Sequence, residues 1–352
     1  MSPTPLVFAI PGDLSTVTGG YIYERRLLGA LRERGHDARH LALPAGFPDP
    51  SPEAMAAAVE ALAALPPDAP LLLDGLVFGA IDPEGLARVR APVCAMIHHP
   101  LAHESGLSPA RRARLLATET ANLRLAAHVA VPSPHTATVL RAEYGVPPER
   151  ISVAPPGFDP ATGPREAGHP PLILSVGILH PRKGHDVLLD ALVRIADLDW
   201  RAVIVGGDHD PSHAEALRRQ ARASGLSERA RFAGLVPDEA LGALYRQATL
   251  FALATRYEGY GMVLGEVLRH GLPIVSCRAG AVPDTVPEGA GLLVPPEDPD
   301  AFAGALRRVL SEPALRDGLA RAATAAGARL PGWAETAEVV GAALDRLAAE
   351  AR

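Results

Sequence analysis

Short apolar runs alternate along the chain with stretches whose apolar residues recur at helical spacing. Residues 6–10 (LVFAI) read as a buried strand, followed by a loop to Gly20 and a helix over 24–34. Further strands are predicted at 39–43, 70–73, 93–97, 129–132 and 151–154, with helices at 53–65, near 84–90, near 108–124 and at 134–144. The strand segments are continuously apolar and do not alternate with polar residues, which is the pattern of strands covered on both faces. With helices between them they predict a parallel sheet.

Residues 159–170 (DPATGPREAGHP) are rich in proline, glycine and charge and read as a linker. The pattern then restarts. Strands are predicted at 172–176, 202–205, 231–232, 250–253, 273–276 and 291–294, and helices at 185–195, 214–224, 239–247, 262–270, 299–310 and 313–329. A last helix, 333–350, could pack on either half. The expected fold class is therefore α/β, with two doubly wound parallel-sheet domains of Rossmann-like type. The first spans 1–158, the second 171–330, and 331–352 form a C-terminal helix that could return to the first domain. Ligands of such sheets sit beyond the carboxyl ends of the strands, so two domains facing each other predict a site in the cleft between them.

A length of 352 residues suits two domains of about 150 residues each. The formal net charge of −6 argues against nucleic acid as a partner. Two distant cysteines in apolar runs, Cys94 and Cys277, argue against a disulfide scaffold and predict a reducing, cytoplasmic setting. The opening MSPTPLVFAIPGD has neither the basic n-region nor the apolar length of a leader or membrane span. A peripheral membrane contact stays open through the arginines of SPARRARLLATETANLR at 108–124, although such a run more often forms a solvated face. Basic positions are almost all arginine, and Lys183 is the only lysine. A solitary lysine in such a chain points to a place that needs a compact ammonium instead of a planar fork.

The strongest candidate chemistry lies in LFALATRYEGYGMVLGEVLRHGLPIV, residues 250–275. A strand ends near Thr255, the turn Glu258-Gly259-Tyr260-Gly261 follows, and a helix starts with Met262 and Val263. Glu258 then stands at the mouth of the turn, and Glu266 lies roughly 8 Å or more further along the helix. Two carboxylates so separated suit two hydroxyl-bearing groups held apart by a diphosphate, and the helix N-terminus between them offers N–H groups to the phosphates. The second candidate is ILSVGILHPRKGHDVLLDAL, residues 173–192, where a strand runs into Gly177 and a short loop presents Arg182 and Lys183. Adjacent cations at a strand's carboxyl end can neutralise a diphosphate. The order Lys-Gly, with no Gly-Lys-Ser/Thr, excludes a Walker A loop.

In the first half, Gly19 and Gly20 follow the first strand, where glycine lets backbone approach a ligand. No GxGxxG fingerprint stands there, which counts against a nicotinamide enzyme. The fourth strand runs into His98-His99-Pro100, with His103 soon after. These histidines could hydrogen-bond a sugar or act as a base. Adjacent histidines chelate poorly and no acidic or cysteine partner has ligand spacing, so no metal is expected. Two Asp-x-Asp runs, at 208–210 and 298–300, read as turn chemistry.

Taken together, the strand-Gly-x-Leu-x-Pro-Arg-Lys-Gly run, FAGLVPDEALGALY at 232–245 and YEGYGMVLGEVLRHGLPIVS resemble the retaining glycosyltransferases of family 4. The second half matches nearly throughout. The first matches in its glycine loop, its histidine strand end, VPSPHTATVL and ISVAPPGFD. The resemblance implies two Rossmann-like domains of the GT-B type facing across a cleft and a nucleotide-sugar donor, with no divalent metal or other cofactor. It implies that Arg182 and Lys183 bind the donor diphosphate with Gly19 and Gly20 closing over it. Glu258 would hold the transferred sugar, Glu266 the ribose, Gly234-Leu235-Val236 the base, and His98 the donor sugar. HHPLAHESG at 98–106 maps onto no acceptor site of that family, so the acceptor (sugar, lipid or small molecule) and the oligomeric state stay open. Two rivals share the scaffold: a nucleotide-sugar epimerase, and a catalytically silent nucleotide-sugar-binding protein.

Overall fold

A computed structural model of the chain describes residues 5–351. Residues 1–4, part of the opening stretch read above as no leader, and residue 352 lie outside the described residues. The chain divides into two compact units. One runs to Gly157 and resumes at Pro331; the other is Phe158–Leu330.

The first unit contains β1 (Leu6–Pro11), α1 (Gly19–Glu33), β2 (Ala38–Leu43), α2 (Pro52–Ala63), β3 (Leu71–Asp74), α3 (Gly75–Ala80) and α4 (Pro83–Leu86). It continues with β4 (Val93–Met96), α5 (Pro109–Leu125), β5 (His128–Val131), α6 (Pro134–Tyr144) and β6 (Ile151–Val153). All six strands are parallel, in the order β2-β1-β3-β4-β5-β6. The continuous apolar runs are buried as expected: Phe8, Ala9 and Ile10, Leu71, Leu72 and Leu73, and Cys94, Ala95 and Met96 are all without solvent exposure.

The second unit contains β7 (Leu172–Val176), α7 (His185–Val193), β8 (Arg201–Val205), α8 (Pro211–Ala223), β9 (Ala230–Gly234), α9 (Asp238–Gln247) and β10 (Leu250–Leu253). After these come α10 (Met262–Arg269), β11 (Ile274–Cys277), α11 (Val282–Thr285), β12 (Gly291–Val294), α12 (Pro299–Ser311) and α13 (Pro313–Gly327). Its sheet is also six-stranded and parallel, in the order β12-β11-β10-β7-β8-β9. The last helix, α14 (Trp333–Glu350), packs on α1 of the first unit. Trp333 meets the edge of Tyr23 at 5.5 Å, and the Thr336 hydroxyl donates to Pro155 O at 2.7 Å. Residues 159–170 carry no helix or strand but lie hydrogen-bonded along the second unit. Arg165 donates to Gly271 O and Ala248 O, and the Glu166 and Gly168 amides donate to Arg246 O and Gln247 O. Among the described residues no helix is long and apolar enough to cross a membrane.

One buried acid in the first unit belongs to its packing. Glu119 on α5 accepts from the Leu101 and Ala102 amides at 2.8 and 3.3 Å and from the Tyr144 hydroxyl at 3.1 Å. Burial pushes its carboxyl up to about 7, against the lowering effect of those three donors. The folded state therefore holds this proton to higher pH than the unfolded chain does. The stability it contributes is full below about pH 4.5 and is lost as pH rises through about 7, amounting to at most about 3 kcal/mol. Urea unfolding of Glu119→Gln should show a shallower fall in stability between pH 5 and about pH 8 than the parent; equal slopes would contradict this.

Candidate active site

In the second unit, strand order reverses between β7 and β10: the chain moves outward through β8 and β9 on one side and β11 and β12 on the other. Loops leaving the carboxyl ends of the two central strands diverge there, at the usual ligand position in such sheets. These two loops carry the cations and the carboxylate singled out above.

The loop after β7 ends in a tight turn at Pro181–Lys183 and then Gly184, at φ +63°. A Cβ at Gly184 would lie 1.9 Å from Ala254 O, so only glycine lets this loop settle against the end of β10. The contact is stitched by the Arg256 amide, which donates to Arg182 O at 2.8 Å, and Thr255 Oγ1 lies 3.0 Å from the same oxygen. Glu258 is fixed from behind: its carbonyl accepts from the Ala281 amide at 2.8 Å, and Gly280 leaves room for its backbone.

The outcome is a compact charge cluster. Lys183 Nζ lies 2.6 Å from Glu258 Oε1, Arg182 lies 3.4 Å from Glu258 Oε2 and donates to Tyr257 O, and the Thr255 hydroxyl donates to Glu258 Oε1 at 2.9 Å. Glu258 is almost wholly buried. Burial alone would push its carboxyl up, but Lys183 and Arg182 outweigh it and hold the group below the usual range. Gly177 lies along the Lys183 stem, since a Cβ there would touch the lysine Cγ and Cδ at 3.4 Å.

The other positions named in this half are placed as follows. Gly259 is buried in the turn, Gly261 (φ +83°) caps the start of α10 close to Glu258 Cγ, and Met262 and Val263 open the helix half-buried. Tyr260 stands apart: its ring stacks on Phe158 at 6.1 Å and borders a cavity of about 190 Å³ with Leu268 and Thr285. Glu266 is half-buried and accepts from the Tyr245 hydroxyl at 2.7 Å. Burial raises its carboxyl and that hydroxyl lowers it, with a raised group as the net result. At the end of β9, Gly234 (φ +66°) faces open space, Leu235 is exposed and lies beside Gly207 of the loop after β8, and Val236 packs inward. The Asp-x-Asp runs are turn and cap residues. Asp210 and Asp298 cap α8 and α12, while Asp208 and Asp300 pair with Arg218 and Arg194.

The first unit has its own reversal point, between β1 and β3. The glycine loop leaves β1 there, Asp74 ends β3, and His98 follows the neighbouring β4. Gly20 lies against the His98 ring, which a Cβ at Gly20 would approach at 3.5 Å, and Gly19 is the first residue of α1. Helix α1 begins five residues earlier than the sequence pattern placed it, because the glycine pair itself forms the first turn. His98 Nε2 lies 3.6 Å from Glu24 Oε1, and Glu24, Asp74 and His98 each bring a ligand-type atom within 4.8 Å of the others. The expectation that the histidines lack acidic partners at ligand spacing is therefore corrected: β3 and α1, distant in sequence, supply two. Glu24 had one visible signal, since it falls on the apolar face of its helix with Tyr23, Leu27 and Leu28. His99 and His103 turn to Glu104 and Glu143 at 3.4 and 2.8 Å. On α5, Arg111 pairs with Asp49, and Arg112 and Arg114 are exposed.

Two parallel six-stranded sheets of this kind match solved glycosyltransferases in fold. Sucrose-phosphate synthase from Thermosynechococcus elongatus aligns with a TM-score of 0.85 at 22% identity, over 99% of this chain and 100% of that one. HepE of Anabaena, solved in complex with UDP-glucose, aligns with a TM-score of 0.77 at 18% identity, over 97% and 99%. Fold and strand order define the GT-B architecture of two Rossmann-like domains. Residues 17–162 match the family model described as Glycosyltransferase Family 4, and residues 170–312 the model described as Glycosyl transferases group 1. The chain belongs to the family 4 type glycosyltransferases. Among relatives, the D-inositol 3-phosphate glycosyltransferase of Acidothermus cellulolyticus is 35% identical over 226 residues, 58% of this chain and 50% of that protein. The protein of the same name from Corynebacterium efficiens is 35% identical over 214 residues, 55% and 50%. The chain thus spans about half the length of the relatives it matches.

Proposed function

We propose that the chain transfers a hexose-type sugar, with retention of anomeric configuration, from a nucleotide diphosphate sugar to a hydroxyl acceptor, using no resident metal or other cofactor. The observation that carries this reading is the Lys183–Glu258 contact of 2.6 Å at the reversal point of the second sheet. A cation pair and a carboxylate on adjoining loops suit the two ends of one activated sugar: phosphates on one side, sugar hydroxyls on the other. HepE, named above for its complex with UDP-glucose, and the relatives named as glycosyltransferases support a donor of this class.

Arg182 and Lys183 take up the negative charge that grows on the leaving diphosphate, while Glu258 accepts hydrogen bonds from the sugar. The N–H groups opening α10 face the phosphates, Glu266 receives the ribose, and the exposed Leu235 between Gly234 and Val236 offers an apolar face to the base. In the first unit, Gly19, Gly20 and His98 stand at that unit's own strand-reversal point and take the role toward the donor sugar that the family resemblance implies. The acceptor oxygen attacks the anomeric carbon on the face from which the diphosphate departs. The anomeric carbon–phosphate oxygen bond breaks as the new glycosidic bond forms, and the acceptor's proton passes to a leaving phosphate oxygen.

Thermal melting in the presence of UDP-, GDP-, ADP- and TDP-sugars tests the donor assignment, since a ligand of the folded state raises Tm by linkage. One nucleotide-sugar series should give a saturable rise, and that protein–donor mixture should release nucleoside diphosphate when acceptor is supplied. A flat response to all four series would contradict the proposal. Interconversion of the free donor sugar with no acceptor present would replace it by epimerisation.

A further inference from the structure

Beyond the charge cluster, the first unit buries two carboxyl groups that the proposed reaction does not use. Glu24 and Asp74 are 1% and 3% exposed, and each brings a carboxylate oxygen within 4.8 Å of the other. Two ionised carboxylates buried this close repel each other, so the pair favours holding one proton between them. Asp74 is anchored on its other side, where Oδ1 accepts from the Leu76 and Val77 amides at 2.9 and 3.3 Å. Glu24 Oε1 finds no hydrogen-bond partner among the described residues and points to the His98 ring, whose Nε2 is equally without one, 3.6 Å away.

His98 is gripped by one face of α1. Gly20, Tyr23 and Glu24 stand at i, i+3 and i+4: the first lies flat against the imidazole, the second meets it edge-on at 5.0 Å, and the third faces Nε2. We infer that Glu24 and Asp74 form a proton-sharing carboxyl pair that holds the His98 imidazole as its neutral Nε2–H tautomer, making both of them positioning residues for His98. The Nδ1 lone pair is then left as a fixed acceptor, as when a buried carboxylate orients a catalytic histidine through its other nitrogen. The inference rests on the proposed transfer reaction only for what His98 does, not for how it is held.

The electrostatics agree with this geometry. Burial pushes Glu24 up to about 7, and burial and the neighbouring Glu24 raise Asp74, so the pair keeps one proton at neutral pH. Burial lowers His98, which stays neutral beside it. Tyr21 also faces the pair, pushed up to about 12 by burial and by Asp74, Glu24 and the exposed Asp13. A divalent cation bound by the same three side chains is the competing occupant.

Nitrogen-15 histidine NMR of the full chain, with His98 assigned through His98→Gln, reads the tautomer directly. The parent should show neutral Nε2–H at pH 7.5. Asp74→Asn keeps the backbone cap and donates an amide hydrogen to Glu24 in place of the shared proton, so it should retain that tautomer. Glu24→Gln should lose it to a mixture, with kcat down by about 10- to 100-fold and the donor KM unchanged. A neutral Nδ1–H ring in the parent, or a ring unaffected by Glu24→Gln, would overturn the inference. So would Mn²⁺ that broadens the His98 signals and raises Tm in the parent but not in Glu24→Gln, which would make the trio a metal site. If the tautomer behaves as stated while no donor supports transfer, the reaction assignment fails and the carboxyl pair stands.

Discussion

Replacing Arg182 and Lys183 together by alanine is expected to abolish the donor-induced rise in Tm and to cut sugar transfer by about 10⁴-fold, roughly a hundredfold for each charge-stabilising donor removed. The loss has a structural side as well. Both cations hold Glu258 ionised, so without them a buried carboxylate is left with Thr255 alone and takes up a proton at higher pH. In the parent, the stability from this cluster is present above the ordinary carboxylate range and is lost as pH falls through the depressed value of Glu258. In the double variant that acid-side loss should disappear and Tm at neutral pH should fall. Adding Glu258→Gln removes the stranded charge and should return part of the Tm without returning donor binding. Melting curves with and without donor separate the two effects; a double variant that still answers to the donor would show that the phosphates bind elsewhere.

Glu258→Gln alone should behave differently. In the ligand-free chain Lys183 is occupied by Glu258, so incoming phosphates compete with a carboxylate for the ammonium. Neutralising Glu258 removes that competitor, and the nucleoside diphosphate by itself should bind as tightly as to the parent or a few-fold more tightly. Sugar transfer should nevertheless fall by about 10²- to 10³-fold, because the acceptor of the sugar's hydrogen bonds has been weakened at the reacting end. Calorimetric titration with the diphosphate and a turnover assay with the full donor give the two numbers. Equal losses in both would place Glu258 among the phosphate contacts, and unchanged turnover would remove it from the site.

The alternation of apolar strands with helices was enough to read both sheets, because strands buried on both faces leave uninterrupted apolar runs such as LVFAI and LFAL. What it missed were short elements without a full helical period. The six-residue α3 and four-residue α11 are set by Asp74 capping and by tertiary packing. The start of α1 was missed for another reason: glycine carries no helix signal, yet Gly19 and Gly20 are its first residues. At the site, adjacency along one loop made Arg182 and Lys183 visible, and their strand-end position implied the partner on the next central strand. For the opposite reason Asp74 gave no signal, and Glu24 gave only its place on the apolar face of α1. They come from different elements, and each alone resembles an ordinary helix or cap residue; only the order β1-β3-β4 brings them beside His98.

Because Lys183 is the only lysine in the chain, lysine labelled with carbon-13 at Cε gives one side-chain NMR signal that reports on this position alone. Titrating the bound nucleotide sugar should move that single resonance saturably, with the midpoint found by thermal shift, as the ammonium exchanges Glu258 for a phosphate oxygen. A resonance that stays in place while the donor is demonstrably bound would contradict the account.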